Sequence, residues 1–326
     1  MCGISGIVAD GDQQKNIEAM CRMLVHRGPE NTSIYRYENV WLGHNRLRII
    51  DIETGDQPIF NEDGSVGVVF NGEIYNFMEI KADLEEKGHT FKTTSDTEIL
   101  VHLYEEKGIE MFDKLNGIFA FAILDKNRNR IILARDHFGV KPLFYYERGG
   151  KLVFGSEAKA ILTHPDVPRK RNDHATHLLA NLRYVQSEQT LFKDIHHVPP
   201  GSYLVHENGK SKVSRYYEFN PEVQDISFED AKDGIQARLK EAVRRQLISD
   251  VPIGVYLSGG IDSSSLVAMM SELGVDDIRT FTLGFNEPTD EFDSAKMIAD
   301  QFSTNHQTLS LDLDPMKHFP NVIWHA

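Results

Sequence analysis

Cys2 is the residue in this sequence that could do covalent chemistry largely unaided. Removal of Met1 would leave it at the N-terminus, and cysteine is small enough for such trimming. A terminal cysteine then carries its own general base beside the thiol, because an unperturbed α-amine has a pKa of about 7.7–8.0. Gly3 and Gly6 keep the approach to it unhindered, and Ile4, Ile7 and Val8 anchor a short strand that ends at the nucleophile. A cysteine in second place also arises by chance, so the rest of the chain has to decide.

Three polar clusters between apolar runs supply partners. Arg46, in Gly43-His44-Asn45-Arg46-Leu47, offers a guanidinium fork suited to a carboxylate, although a lone arginine is more often a surface or salt-bridging group. Asn71 and Gly72 follow an apolar strand, and a side-chain amide beside an unhindered N–H can form an oxyanion-stabilising pair. An Asn-Gly turn is the ordinary alternative. Thr94-Ser95-Asp96-Thr97-Glu98 reads as a helix start with Asp96 or Ser95 as the cap, and a carboxylate there could also meet an ammonium group.

A fourth constellation lies far along the chain: Tyr256-Leu257-Ser258-Gly259-Gly260-Ile261-Asp262-Ser263-Ser264 joins a strand to a helix. Glycines let backbone N–H groups approach an anion, and the helix N-terminus adds a favourable dipole. Ser258, Ser263 and Ser264 supply hydroxyls, and Asp262 can cap the helix or help hold magnesium. The Walker lysine is missing, which weakens a γ-phosphoryl-transfer reading.

These groups need two kinds of scaffold. Up to Phe219 the pattern is of short β-branched and aromatic runs: Val40 to Leu42, Val66 to Phe70, Gly117 to Leu124, Arg130 to Ala134, Leu143 to Tyr146 and Lys151 to Phe154. Helical spacing appears from Asn16 to Val25, with Cys21 on the apolar stripe as a packed thiol, and around Phe77 to Lys87 and Thr97 to Lys107. Such grouping predicts two antiparallel sheets covered by helices. The polar stretch 220–230 marks a boundary, so the domains are expected at 1–219 and 220–326. Beyond it, helix (Phe228 to Ser249), strand (Ile253 to Leu257, apolar enough to be buried on both faces), helix, strand, helix and strand alternate as in a parallel α/β sheet. About three strands make a small sheet, so a fragment of something longer, or a shortened relative, is expected.

The chain has 326 residues and a formal net charge of −14, which disfavours binding to a phosphate backbone. It contains no apolar run of about 18 residues and no signal-peptide pattern at its start. Two cysteines, Cys2 and Cys21, form no disulfide framework, and the scattered histidines, His196-His197 included, show no metal-ligand spacing. The reading is a protein of a reducing, cytoplasmic setting, with no nucleic-acid or membrane partner.

Cys2-Gly3-Ile4, His26-Arg27-Gly28-Pro29, Arg46-Leu47, Asn71-Gly72-Glu73-Ile74-Tyr75-Asn76, Ser95-Asp96-Thr97-Glu98, Leu115-Asn116-Gly117, Ala134-Arg135-Asp136-His137-Phe138-Gly139, Lys141-Pro142-Leu143 and Ser258-Gly259-Gly260-Ile261-Asp262-Ser263 occur in one order. That series resembles the glutamine-hydrolysing asparagine synthetases over nearly the whole chain. The resemblance implies an α+β N-terminal-nucleophile αββα sandwich, a class II glutamine amidotransferase domain, followed by an incomplete α/β Rossmann-like ATP-pyrophosphatase domain. It implies that Cys2 attacks the glutamine amide with its own amine as base, with Asn71 and Gly72 stabilising the oxyanion. Arg46 would hold the substrate carboxylate, and Asp96 and Glu73 its ammonium. Leu257, Ser258, Gly259, Gly260, Asp262, Ser263 and Leu283 would bind ATP, with Mg2+ at Asp262. The substrates would be glutamine, ATP and aspartate, and a homodimer is one assembly open to such a protein.

Two departures stand out. Arg48 occupies a place where that family usually has a small hydroxyl residue, which could alter the rim of the glutamine site. The family's later Ser-Gly-(Glu/Asp)-Gly-(Ala/Ser)-Asp-Glu stretch is absent. Rival readings are a member that amidates or cyclises a different carboxylate, a non-catalytic glutamine- or nucleotide-binding remnant, and a phosphoribosylpyrophosphate amidotransferase. The last should lack the loop at Ser258, and a sensor would not need Cys2.

Overall fold

A computed structural model describes residues 1–186, 188–312 and 314–325, and the chain divides into two units, Met1–Glu222 and Val223–Ala326. In the first unit β1 (Gly3–Val8) leads to α1 (Gln14–Leu24), β2 (Asn31–Tyr37), β3 (Val40–Arg46), β4 (Ile59–Phe60) and β5 (Val66–Ile74). Next come α2 (Phe77–Glu86), α3 (Ile99–Lys107), a 3-10 helix over Gly108–Lys114, β6 (Gly117–Asp125), β7 (Arg130–Arg135), β8 (Phe144–Arg148) and β9 (Lys151–Gly155). Two short helices, α4 (Ala158–Ile161) and α5 (Asp173–Leu182), precede β10 (Ile195–His197), β11 (Ser202–Glu207) and β12 (Lys210–Arg215).

The strands form two six-stranded sheets, ordered β10-β8-β9-β1-β3-β2 and β12-β11-β7-β6-β5-β4, with every pairing antiparallel. Ile4, Leu42 and Phe154 of the first sheet share one apolar layer with Val69, Ala122 and Leu133 of the second. The other face of the first sheet is covered by α1, whose Ile17, Met20, Cys21 and Leu24 recur every three to four residues and pack on Ile7, Trp41 and Val153. The result is the expected αββα sandwich, with Cys21 in its core. Wholly buried His44 of β3 lies with Nε2 3.2 Å from the Phe70 carbonyl of β5. Burial lowers its pKa to about 4, so a neutral ring bonds one sheet to the other near neutral pH.

Five strands of this unit, β2, β4, β10, β11 and β12, were not anticipated. β12 reads Lys-Ser-Lys-Val-Ser-Arg and lies on a sheet edge, where polar side chains face solvent and leave no apolar signal. β10 is three residues long, and β2 is only partly buried along its length.

In the second unit α6 (Phe228–Arg245) precedes β13 (Gly254–Tyr256), α7 (Ile261–Glu272), β14 (Arg279–Gly284), α8 (Phe292–Gln301), β15 (Asn305–Ser310) and α9 (Pro315–His325). The strands pair in parallel in the order β13-β14-β15. One apolar cluster gathers Val243 of α6, Val267 and Met270 of α7, and Ala295 and Ala299 of α8. The strand expected to be buried on both faces is not: Tyr256 is 76% exposed. β13 is an edge strand, and the helices of that cluster cover one side of the sheet only.

Phe154 tests the sandwich. It faces Gly6 across the β1–β9 ladder, where a Cβ on Gly6 would lie 2.1 Å from the ring, so the aromatic side chain occupies space that glycine vacates. Phe154→Ala is expected to cost about 3–5 kcal/mol, read as a lower midpoint in denaturant unfolding of the purified chain.

Candidate active site

β1 lies between β3 and β9, so Cys2 emerges at the end of a strand held on both sides. Arg27 Nε donates to the Cys2 carbonyl at 3.0 Å, and Arg27 is itself held by Glu157, 3.0 Å from its Nη1. Ser156 donates its N–H to the Ile4 carbonyl and accepts the Ile4 N–H on its hydroxyl, both at 2.9 Å. Leu47 N–H reaches the Cys2 thiol at 3.4 Å. Burial pushes the thiol above its ordinary pKa, and the Leu47 N–H and nearby positive charges only partly oppose that. The sulfur therefore rests as a neutral thiol, which needs a base before it can attack.

Cys2 opens on a pocket of about 130 Å³ lined by Arg46, Gln57, Asn71, Gly72, Glu73, Asp96 and Lys141 among others. A larger cleft of about 400 Å³, lined by Val8, Asp10, Asn39 and His206 among others, holds no cysteine and no buried acid.

The second wall of the pocket is the end of β5. Asn71 is buried, yet neither its Oδ1 nor its Nδ2 makes a hydrogen bond, which is costly for a buried amide unless something else satisfies it. A Cβ on Gly72 would lie 2.2 Å from the Ile118 carbonyl of β6, so only glycine lets the strands close there. Asp96 is buried and accepts the Ile74 N–H at 2.9 Å. Of the two expected caps, Asp96 does not serve and Ser95 accepts the Thr97 N–H at 3.2 Å, while α3 begins at Ile99 with Glu98 in the cap position. The Asp96 carboxylate is turned to β5 instead. Burial lifts its pKa to about 7, the Glu73 charge adds to the rise, and the Ile74 N–H opposes it. Glu73 is raised as well, by burial.

Arg46 lines the same pocket with its charge already engaged. Nη1 is 2.5 Å from Asp56 Oδ1, and Nη2 donates to the carbonyls of Asp51 and Ile50. Asp51 has a φ of 53°, a left-handed conformation that aspartate tolerates, and its carboxylate accepts N–H groups from Thr54 and Thr94 at 2.8 and 2.9 Å. It thus ties the Arg46 loop to the turn that carries Asp96. Arg48 lies outside the pocket lining, 3.8 Å from the same Asp56.

Three further residues bear on the site. Gln57 accepts the Phe70 N–H at 2.6 Å and donates to Thr97 at 3.3 Å, joining β5 to the Asp96 turn. Arg27 and Lys141 stood in quoted motifs, but only their position beside Cys2 and the pocket suggests tasks for them. Burial lowers the Lys141 ammonium, and Glu73 raises it.

In the second unit the loop from Ser258 to Ser263 folds on its own hydroxyls. Ser263 Oγ accepts the Ser258 N–H at 3.2 Å and lies 3.1 Å from Ser258 Oγ, which accepts the Gly260 N–H at 3.2 Å. Gly259 has a φ of +76°, and a Cβ there would come within 2.5 Å of the Ser294 backbone. Gly260 is the N-cap of α7 and brings no side chain, so the helix start is left open to an anion. Asp262 is exposed in the first turn, and one such carboxylate plus phosphate oxygens is a usual magnesium set. Leu283 is exposed on β14, whereas the Leu257 side chain lies in the core cluster.

A glutamine amidotransferase domain profile matches residues 1–217, and an asparagine synthase profile matches 234–326. The chain belongs to the glutamine-hydrolysing asparagine synthetase family. It is 34% identical over 94% of its length to asparagine synthetase [glutamine-hydrolyzing] 3 of Bacillus subtilis, covering 53% of that protein. It is 37% identical over 95% of its length to asparagine synthetase [glutamine-hydrolyzing] 2 of the same organism, covering 44%. Amidase chry2 of Gibberella zeae is 32% identical over the whole chain, which covers 53% of it. The chain spans about half the length of these curated relatives. No helix among the described residues is long and apolar enough to cross a membrane.

The raised Asp96 carboxyl makes stability depend on pH. Between its ordinary pKa of 3.8 and about 7 the folded chain keeps a proton that the unfolded chain has released. Stability therefore falls as pH rises through that window, by at most about 1.4 kcal/mol per unit. Asp96→Asn, which keeps an acceptor for the Ile74 N–H, removes the dependence and is expected to melt above the parent at pH 8 but not at pH 4. Calorimetric scans of both proteins at the two pH values check this.

Proposed function

We propose that the first unit hydrolyses glutamine at Cys2 and that the ammonia serves to amidate a carboxylate activated by ATP at the second unit, aspartate giving asparagine. The observation that carries the reading is the meeting of Cys2, an unpaired buried Asn71 amide, Arg46 and Asp96 around one small pocket.

With Met1 removed, the α-amine belongs to Cys2 and takes the thiol proton as sulfur attacks the glutamine side-chain carbonyl. The negative oxygen is met by Asn71 Nδ2 and the Gly72 N–H, and Arg27 keeps the Cys2 backbone fixed during attack. Collapse breaks the carbon–nitrogen bond, the amine returns its proton to the departing ammonia, and a thioester remains. Water, deprotonated by the same amine, then releases glutamate. Arg46 bonds the substrate carboxylate, and Asp96 with Glu73 takes its ammonium.

Ser258, Gly259, Gly260 and Ser263 would hold the pyrophosphate part of ATP, Leu257 and Leu283 would border the adenosine, and Asp262 would hold magnesium. Magnesium supplies charge neutralisation at the phosphates, and ATP supplies the leaving group that makes a carboxylate reactive. A cytoplasmic setting, which keeps Cys2 reduced, belongs with this reading. The amidase relatives favour a second acceptor, a carboxylate other than aspartate, handled by the same glutamine chemistry.

Purified chain lacking Met1 is expected to release ammonia and glutamate from glutamine without ATP. Cys2→Ala abolishes this, and Asn71→Ala lowers kcat about 10²–10³-fold. Turnover that persists in Cys2→Ala would sink the assignment.

A further inference from the structure

Histidine spacing alone gave no metal site, yet the fold brings two histidines together with two glutamates away from the pocket. Glu62 follows β4, His89 follows α2, and His102 and Glu105 stand about one turn apart on α3. We propose that Glu62, His89, His102 and Glu105 form a binding site for a divalent transition-metal ion of the zinc class.

The two Nδ1 atoms, Glu105 Oε2 and the Glu62 carboxylate converge. His102 Nδ1 is 3.2 Å from Glu62 Oε2 and 3.4 Å from Glu105 Oε2. His89 Nδ1 is 3.6 Å from Glu62 Oε1 and 3.9 Å from Glu105 Oε2. Bonds of about 2.0–2.2 Å in a tetrahedron place neighbouring donors about 3.3–3.6 Å apart, so small shifts would close the set around an ion. Two neutral imidazoles and two carboxylates also balance a charge of two.

Two observations separate this from an ordinary patch of ion pairs. His102 is wholly buried, and neither of its ring nitrogens makes a hydrogen bond, although carboxylate oxygens stand close to Nδ1. The donors are also oriented from behind, as metal ligands are. His89 Nε2 is 3.2 Å from Glu106 Oε1, and His102 Nε2 is 3.6 Å from Glu98 Oε1. Glu62 Oε1 accepts the Thr90 N–H at 2.8 Å, and Glu105 Oε1 accepts from buried Asn61 at 2.7 Å. Each imidazole thus presents Nδ1 to the centre, and the His89 Nε2 bond to Glu106 fixes the tautomer of that ring and strengthens the ligand. Phe91 packs on the His102 ring with centroids 4.5 Å apart and excludes water from that side. Imidazole and carboxylate donors in a four-coordinate set suit zinc or cobalt better than calcium or magnesium.

An ion there would tie the loop after β4, the loop after α2 and the middle of α3 to one point. The same helix carries Glu98 at its start, which accepts N–H groups from Lys92 and Thr93 at 2.8 and 2.6 Å, and Asp96 lies two residues earlier. The ion would brace the turn behind the pocket and take no part in bond breaking.

The test uses the full chain as Cys2→Ser, so that the nucleophile cannot capture metal. Protein stripped with a chelator is titrated with Zn2+ and with Co2+, and bound metal is measured after gel filtration. One ion per chain, the visible d–d bands of four-coordinate Co2+ and a Zn2+-dependent rise in melting temperature are expected. His89→Gln with Glu105→Gln, both less buried than His102, should weaken Zn2+ binding by about a hundredfold or more and abolish the thermal shift while circular dichroism stays unchanged. Uptake that is the same in the double variant places the ion elsewhere and overturns the proposal. So does stripped, folded protein that takes up neither ion.

Discussion

A carboxyl group buried without a cation is the constraint on which the first unit turns. Asp96 is shut from water with one backbone N–H and the more distant Ser95 and Thr97 hydroxyls for company and with Glu73 nearby, and its pKa climbs to about 7 as a result. Those neutral donors offset the burial of the ionised form only in part. Arg46 is the contrast: Asp56 and two carbonyls already satisfy its charge. A zwitterionic amino acid would therefore meet unequal ends. Its carboxylate joins an arginine already partnered, whereas its ammonium removes a standing electrostatic debt. Binding energy and selectivity for an α-ammonium should concentrate at Asp96 and Glu73.

The nucleophile obeys the same logic. Burial favours the neutral thiol, and the Leu47 N–H is too weak a partner to reverse that. A sulfur that stays protonated until a base acts is protected from stray oxidation, but reaction then depends on a base within reach. The sandwich provides the rigidity for this. Cys2 precedes a strand flanked on both sides, and Arg27 and Glu157 lock its carbonyl, so the backbone nitrogen beside the thiol has little freedom.

Much of this was legible in the chain. Cys2 stands just before the apolar β1, Arg46 ends the strand that the run Val40 to Leu42 begins, and Asn71 and Gly72 follow the run Val66 to Phe70. The helix α1 announced itself by periodicity. Asp96 was placed in the right turn with Ser95 as the alternative cap; Ser95 takes the Thr97 N–H and Asp96 a strand end, a choice that leaves no trace in sequence. The edge strand β12 carries too few apolar residues to show. Tyr256 misled for the opposite reason: an apolar run reads as buried whether or not elements cover both faces. Gln57 and Asp51 act through backbone N–H groups brought near by folding, and no spacing could reveal them.

The two units handle negative charge by different means, and this separates their responses to acid. On the proposed reading the first recognises its substrate with side chains, and Asp96 titrates near neutrality. The second offers an anion the start of α7, whose cap is a glycine, together with hydroxyls. Backbone amides and serine hydroxyls do not titrate over the physiological range. Lowering the pH through about 7 should thus discharge the ammonium-binding wall of the first unit while the donors at Ser258 to Ser263 stay as they are. A chain built this way loses its grip on an amino acid before it loses its grip on a phosphate, and the asymmetry follows from where the charge is carried.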